Sequence, residues 1–185
     1  AAMVVATVRA LKHHGGADKD NLSEPNPEAT RKGFANLEKH IENIQKFGIN
    51  PVVAINAFPT DTQAEYDIIK ELCANMGVKA VVSTAFAEGG KGSSELAKAV
   101  VESIEAGTNT FHPLYKLSDS IESKINTIAT EIYGADGVEY TSKARTQLKQ
   151  IEKLGFGEFP VCMVKTPVSL SDDEKKIGRP RGFKI

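Results

Sequence analysis

Short apolar runs alternate with amphipathic stretches along the first 110 residues of the chain. A continuous apolar run of this length is typical of a buried strand in a parallel sheet. Three such runs predict strands, at Ala1–Leu11, Pro51–Asn56 and Val78–Thr84. Between and after them, apolar residues recur at helical spacing. The order β-α-β-α-β-α favours parallel crossovers and an α/β fold with a doubly wound, mostly parallel sheet and flanking helices.

Capping residues predict where the helices begin and end. Thr62 and Glu65 have the spacing of a capping box, and Gly48 and Gly77 stand where helices should stop. A glycine-rich loop, Glu88–Gly92, leads into the third helix through a serine N-cap. The polar stretch from residue 13 to residue 27 is long enough to be a functional loop.

The last third of the chain is predicted to be mainly helical. Helices are expected at Ser118–Tyr133 and Ser142–Leu154, followed by a fourth strand at Pro160–Thr166. We place the boundary between this part and the β-α-β section at residues 110 and 111. Both termini are apolar and lack caps, so we expect the chain to be a piece of a longer one.

Composition narrows the class of protein. The 185 residues are 41% hydrophobic and 25% charged, which fits a folded soluble domain. The formal charge of −1 gives no overall attraction to nucleic acid or an anionic membrane, and we expect neither as a partner. No apolar stretch approaches the roughly 18 residues of a membrane span, and no leader peptide is evident, so we expect a cytoplasmic protein. Cys73 and Cys162 are predicted to be buried free thiols.

The residues after the second strand are the first candidate site. Asn56 can form hydrogen bonds with the edge of a base, and Phe58 offers a flat apolar face for a purine or pterin. In parallel sheets ligands bind at the C-terminal ends of the strands. The alternative is that Phe58 packs its own loop and Asp61 only caps the next helix.

Three further segments could carry chemistry. The Ser83–Gly92 segment is not a P-loop, because Lys91 is followed by Gly92 and not by Ser or Thr. Its glycines would let the backbone approach a ligand closely, so a base-binding or a loop-packing role is more plausible. His14 could act in acid–base chemistry or contact phosphate, or it could stabilise a loop with its neighbour. Lys165, at the end of the fourth predicted strand, could face an anionic ligand. The histidine spacing does not suit a metal, and we predict no metal site.

Nine segments spread over the whole chain carry a family resemblance. They are Ala6–Lys12, His14–Gly16, Gly33–Asn43, Ala54–Thr62, Ala87–Gly92, Ile132–Gly137, Leu154–Gly157, Pro160–Thr166 and Ser169–Ser171. Taken together and in this order, they closely resemble the formate–tetrahydrofolate ligase family, also called formyltetrahydrofolate synthetase.

The resemblance implies an activity and its small-molecule substrates. The family is expected to join formate to tetrahydrofolate with ATP and Mg²⁺, through formyl phosphate, in one-carbon metabolism. It also implies a P-loop NTPase-like fold, a P-loop outside this chain, and a cytoplasmic homotetramer. Residues 1–110 would then be part of the nucleotide-binding domain, and residues 111–185 part of an adjoining folate and nucleotide pocket. Whether a monovalent cation binds stays open.

The resemblance also assigns roles to residues. Asn56 and Phe58 would lie beside the nucleotide, with Phe58 stacked on adenine, and Tyr140 would lie against the folate ring. His14 would lie near the reacting groups. The mouth of the pocket would be formed by four consecutive residues, Lys165, Thr166, Pro167 and Val168. Relatives tend to have Gln or His and then a large residue at the last two positions, so we expect apolar contact there instead of stacking.

Three functions compete on this evidence. The chain could be a part of an ATP-dependent ligase that carries the base and folate side of the site and is inactive alone. It could instead be a non-catalytic purine- or folate-binding module. In the third case it is an oligomerisation or scaffold domain in which Phe58 and Tyr140 are packed.

Overall fold

The computed structural model describes residues 1–163 and 169–185. They form two compact units, Ala1–His112 and Pro113–Ile185, each described here by itself. The first unit has the alternating elements that the apolar pattern predicts. Its strands and helices are β1 (Met3–Ala6), α1 (Val8–His14), α2 (Pro27–Gln45), β2 (Val52–Asn56), α3 (Gln63–Asn75), β3 (Ala80–Ser83), α4 (Ala85–Glu88) and α5 (Ser94–Glu105).

The three strands form one parallel sheet in the order β1-β2-β3. Residues Val52–Asn56 are the central strand, and four of the five are buried. Register pairs Ala6 with Ile55, and Asn56 with Ser83, so the strands end at a common edge. The α/β class predicted from the sequence is therefore confirmed.

Helices cover both faces of this sheet. On one face, Val53 and Ile55 pack with buried residues of α1, α2 and α3 in the larger apolar core. On the other face, Val52 and Ala54 pack against Leu96 and its neighbours in α5. Alternate residues of β2 therefore point into two cores, which explains why its sequence is a continuous apolar run.

The prediction of one long buried strand at Ala1–Leu11 is wrong. The strand stops at Ala6, Thr7 caps the next helix through its hydroxyl, and α1 takes up the rest of the run together with both histidines. The strand is also not fully buried. It lies at the sheet edge, and Met3 and Val5 are half exposed. A buried helix and a buried strand are both apolar, so the run could not show the change between them.

Two further predictions need correction. The glycine-rich segment is not a loop, because it forms α4 and a 3₁₀ turn at Gly89–Ser93, and Ser93 makes no side-chain cap. The described part of the fourth predicted strand, residues 160–163, is not in a strand. The remainder of that prediction, residues 164–166, lies outside the described residues.

The two helical segments that the sequence predicts are present in the second unit, but most of its described residues are in neither a helix nor a strand. It contains α6 (Ile121–Thr127), a π-helical turn at Ile128–Tyr133 and α7 (Ser142–Lys153). A small core forms around Ala129, Ala135 and Phe183. Gly134 takes the left-handed conformation that ends the first helical segment. Across residues 1–163 and 169–185, no helix is both long and apolar enough to cross a bilayer.

Candidate functional site at the C-terminal edge of the sheet

The loop that joins β2 to α3, residues 57–62, lies where the sequence predicts a ligand site. Its first residue continues the sheet, because the Ala57 N–H donates to the Ser83 carbonyl at 3.0 Å. Asp61 then closes the loop: its carboxylate accepts the Phe58 N–H at 2.9 Å, and its own N–H donates to the Phe58 carbonyl at 3.0 Å. Phe58 is therefore held by a short hydrogen-bonded loop at the end of the central strand.

The ring of Phe58 is accessible to solvent. The residue is 37% exposed, although it is large and apolar. Asn56, two residues before it, ends β2 and is partly buried. The structure thus brings together the two residues that the sequence assigns to one ligand, and Phe58 is not enclosed in a core. Exposure at the end of a parallel strand fits a stacking platform better than a packed loop residue.

The far end of the 57–62 loop is fixed by the capping box at the start of α3. The Thr62 hydroxyl accepts from the Glu65 N–H, and the Glu65 carboxylate accepts the Thr62 N–H at 2.9 Å. Tyr66, in the same turn, donates its hydroxyl to Asp61 at 3.2 Å. Burial, together with the nearby carboxylate of Asp61, raises the pKa of Tyr66 to about 12. Tyr66 is therefore a neutral donor across the physiological pH range.

A second aromatic ring lies at the end of the neighbouring strand. Phe86 follows β3 in the short helix α4 and is 97% exposed. The segment around it is folded back tightly: the Thr84 N–H donates to the Gly92 carbonyl at 3.0 Å. A Cβ atom at Gly92 would lie 2.5 Å from the Thr84 hydroxyl oxygen, so the glycine allows this close approach.

Phe86 was not among the candidate residues predicted from the sequence. The sequence leaves its segment a base-binding or loop-packing role, since the segment is not a P-loop, but does not single out the phenylalanine. The signal that could have found it is an aromatic residue directly after a buried strand. Since Asn56 and Ser83 are register partners, Phe58 and Phe86 follow two neighbouring strand ends. Sequence reasoning therefore found one exposed ring at this edge and missed the other.

His14 ends α1 and is partly buried. Burial, and then the nearby His13 and His40, lower its pKa to about 4. The imidazole is therefore neutral at pH 7, and it could accept a proton or a hydrogen bond there but would not carry a positive charge. The role near the reacting groups stays a prediction.

Tyr140 belongs to the second unit and lies just before α7. The guanidinium of Arg145 lies 5.5 Å from the centre of its ring, within the range of a cation–π contact. Its hydroxyl is buried and has no hydrogen-bond partner among the residues that the structure describes. Burial, and then the charge of Glu122, raise the pKa of Tyr140. Its predicted contact with a folate ring stays a prediction.

The remaining candidates cannot be placed. Lys165, Thr166, Pro167 and Val168 lie outside the described residues. The first unit has an α/β fold and carries exposed aromatic rings at the C-terminal edge of its parallel sheet. That arrangement is typical of α/β proteins that bind small molecules at the strand ends.

The family of the chain is shown by sequence comparison. The family model for formate–tetrahydrofolate ligase matches residues 1–185. The chain belongs to this family of ATP-dependent ligases, which act on tetrahydrofolate in one-carbon metabolism.

Proposed function

We propose that this chain carries the base and folate side of a formate–tetrahydrofolate ligase site. The observation that carries the proposal is the exposed ring of Phe58, held at the end of the central strand in a chain of this family. Phe58 stacks on a planar heterocycle, with adenine as the first candidate, and Asn56 forms hydrogen bonds with its edge. Phe86 offers a second face on the neighbouring strand end.

The reaction supported by the family runs through formyl phosphate. Formate takes the terminal phosphoryl group of ATP, and ADP leaves. The amine of tetrahydrofolate then forms a bond with the formyl carbon, phosphate leaves, and 10-formyltetrahydrofolate results. Mg²⁺ would enter with ATP, bound to its phosphates. Tyr140 and the segment Lys165–Val168 are proposed to line the folate pocket, and a cytoplasmic homotetramer is proposed for the assembly.

A binding measurement with Phe58→Ala tests the proposal. Stacking on an aromatic ring contributes roughly 1–3 kcal/mol per base, or about 5- to 160-fold in Kd. We expect the variant to lose this much affinity for MgADP or for tetrahydrofolate, measured by titration calorimetry, while its Tm changes little. A packed ring would instead cost roughly 3–5 kcal/mol of stability on truncation.

Phe111→Ala is the matched control. Phe111 is also exposed, at 67%, but it stacks on Phe47 just before the start of β2, at the opposite end of that strand. Its removal should leave the affinity of both ligands unchanged. Equal affinity of the wild type and Phe58→Ala for both ligands would contradict the proposal. A large loss of Tm without a loss of affinity would favour the scaffold alternative.

A further inference from the structure

A buried ion pair joins three segments of the first unit. The side chains of Lys12, in α1, and Glu65, in α3, are both fully buried, and Lys12 Nζ lies 3.2 Å from Glu65 Oε1. Lys12 also donates to the carbonyl oxygen of Glu24 at 2.8 Å. A buried charge is tolerated only when it is paired and supplied with hydrogen bonds. Lys12 and Glu65 meet this condition, because they pair with each other and the loop before α2 supplies further hydrogen bonds.

The Glu65 carboxylate accepts hydrogen bonds from two loops at once. Its Oε1 atom accepts the Asn26 N–H at 2.9 Å, from the end of the 15–26 loop. Its Oε2 atom accepts both the N–H and the hydroxyl of Thr62, at 2.9 and 2.8 Å. Burial raises the pKa of Glu65, but the hydrogen bonds from Asn26, Thr62 and Lys12 outweigh it, and the pKa lies below its ordinary value.

These contacts fix the far end of the loop that carries Phe58. The near end is fixed by the bond from Ala57 to the β3 carbonyl, and the middle is closed by Asp61. Thr62, the last residue of the loop, is held through both its N–H and its hydroxyl by Glu65. The orientation of the Phe58 backbone therefore depends on where the Glu65 carboxylate is anchored, and Lys12 anchors it.

We propose that Lys12 and Glu65 are a positioning pair that fixes the Phe58 platform and the 15–26 loop relative to each other. The inference rests on the proposed function, because the property it controls is the affinity of Phe58 for a heterocycle. An apolar pair of similar volume is often as stable as a buried ion pair. Stability alone therefore does not account for two charges here, whereas a fixed loop geometry does.

The double variant Lys12→Met/Glu65→Leu separates positioning from stability. Each single variant leaves one charge buried and unpaired, so each should melt well below the wild type. The double variant removes both charges and should melt above either single variant. Since it also removes the carboxylate that accepts hydrogen bonds from Thr62 and Asn26, we expect it to bind MgADP or tetrahydrofolate at least tenfold more weakly than the wild type.

An exposed ion pair between α2 and α3 provides the control. Arg31 and Glu71 lie 3.0 Å apart, with side chains about half exposed. The double variant Arg31→Ala/Glu71→Ala removes an ion pair between α2 and α3 without touching the loops. Its affinity for both probes should equal that of the wild type. Wild-type affinity in Lys12→Met/Glu65→Leu would overturn the inference and leave the pair a structural one.

Hydrogen exchange measures the positioning without a ligand. In Lys12→Met/Glu65→Leu, the amides of Asn26 and Thr62 should exchange at least tenfold faster, while those of Val53 and Ile55 in the central strand keep their protection. Unchanged exchange at Asn26 and Thr62 would overturn the inference. If the wild type binds neither probe, the proposed function fails, and exchange alone decides whether the pair positions the loop.

Discussion

At the scale of single residues, the two cysteines differ in a way that chemistry can measure. Cys73 is buried, and burial raises the pKa of its thiol to about 12, whereas Cys162 is exposed. The thiolate is the reactive form. Iodoacetamide at pH 8 should therefore add one group per folded chain and two per chain in denaturant, counted by mass spectrometry. Addition of two groups to the folded chain would contradict the burial of Cys73. The folded Cys162→Ser variant should add no group.

The lowered pKa of His14 predicts that the stability of the chain depends on pH. Its pKa falls from an ordinary 6.5 to about 4 in the folded chain. As the pH falls, His14 takes up its proton in the unfolded chain before it does so in the folded chain. The free energy of unfolding is therefore unaffected by this group above pH 6.5 and decreases progressively as the pH falls toward 4. Because the imidazole is only partly buried, solvent screening reduces the full linkage value, and we expect a loss on the order of 1 kcal/mol between pH 6.5 and 5.

The measurement is the free energy of unfolding by urea at intervals of pH from 7 to 5. The variant His14→Gln cannot titrate, so its stability should fall less over this range than that of the wild type. The narrow range keeps the comparison above the ordinary carboxyl pKa values. Parallel pH curves for the two proteins would show that His14 is not the group responsible.

The candidate residues show how far single residues could be predicted. Asn56 and Phe58 are predicted because a short buried strand ends abruptly at Asn56, and the structure has β2 end there. Their role in binding a ligand stays a prediction. Phe86 was missed because its exposure depends on how the residues after β3 wind into α4. The exposure of Cys162 was missed for a similar reason: its apolar neighbours predict a strand, and the described ones are not in a strand.

At the scale of elements, the crossing of α1 and α2 depends on two glycines, Gly15 at the end of α1 and Gly33 in α2. Gly33 lies inside α2, and a Cβ atom there would lie 1.8 Å from the backbone oxygen of Leu11 and 2.8 Å from the backbone nitrogen of Gly15. Alanine normally stabilises a helix relative to glycine by up to about 1 kcal/mol. Gly33→Ala should instead destabilise the chain by at least about 2 kcal/mol, because the two backbones must separate.

Thermal unfolding shows directly whether Gly33→Ala lowers or raises the stability of the chain. For a unit of this size, 2 kcal/mol corresponds to a fall in Tm of roughly 8–15 °C. Gly90→Ala is the matched control, because a Cβ atom at Gly90 meets open space and the residue does not need a positive φ. Its stability should change by less than about 0.5 kcal/mol. A Gly33→Ala chain as stable as the wild type would show that the helices do not cross so closely.

The bounds of an element could be predicted where a capping box or a helix-ending glycine marks them, and could not be predicted elsewhere. The capping box of Thr62 and Glu65 is present, and Gly48 and Gly77 have the positive φ of helix-ending glycines. The boundary between β1 and α1 has only Thr7 to mark it, inside one apolar run. Propensity and periodicity describe burial well but do not separate a short buried strand from a buried helix.

At the scale of the whole chain, the candidate residues fall in two units. The first unit holds Asn56, Phe58 and Phe86, and the second holds Tyr140. The assignment of residues 1–110 to a nucleotide-binding domain and of residues 111–185 to a folate pocket stays a prediction.

The last prediction concerns turnover by the chain as it stands. Phosphoryl transfer depends on positioning the phosphates and neutralising their charge. The 185 residues contain no Gly-x-x-x-x-Gly-Lys-Ser/Thr motif, and the closest segment ends in Lys91-Gly92. Moreover, Glu88, which accepts the Thr84 hydroxyl in that segment, adds a negative charge that would repel a phosphate. We therefore expect the purified chain to bind its ligands without forming product.

The assay combines formate, MgATP and tetrahydrofolate with the purified chain and measures 10-formyltetrahydrofolate against a heat-denatured blank. A parallel melt with each ligand shows whether the site is folded, since ligand at 100 times its Kd adds about 2.7 kcal/mol of stability. A raised Tm without product is the expected result, because the proposed aromatic platform would bind rings, whereas the 185 residues contain no P-loop motif for the phosphates. Product above the blank would show that residues other than a P-loop bind the phosphates in this chain.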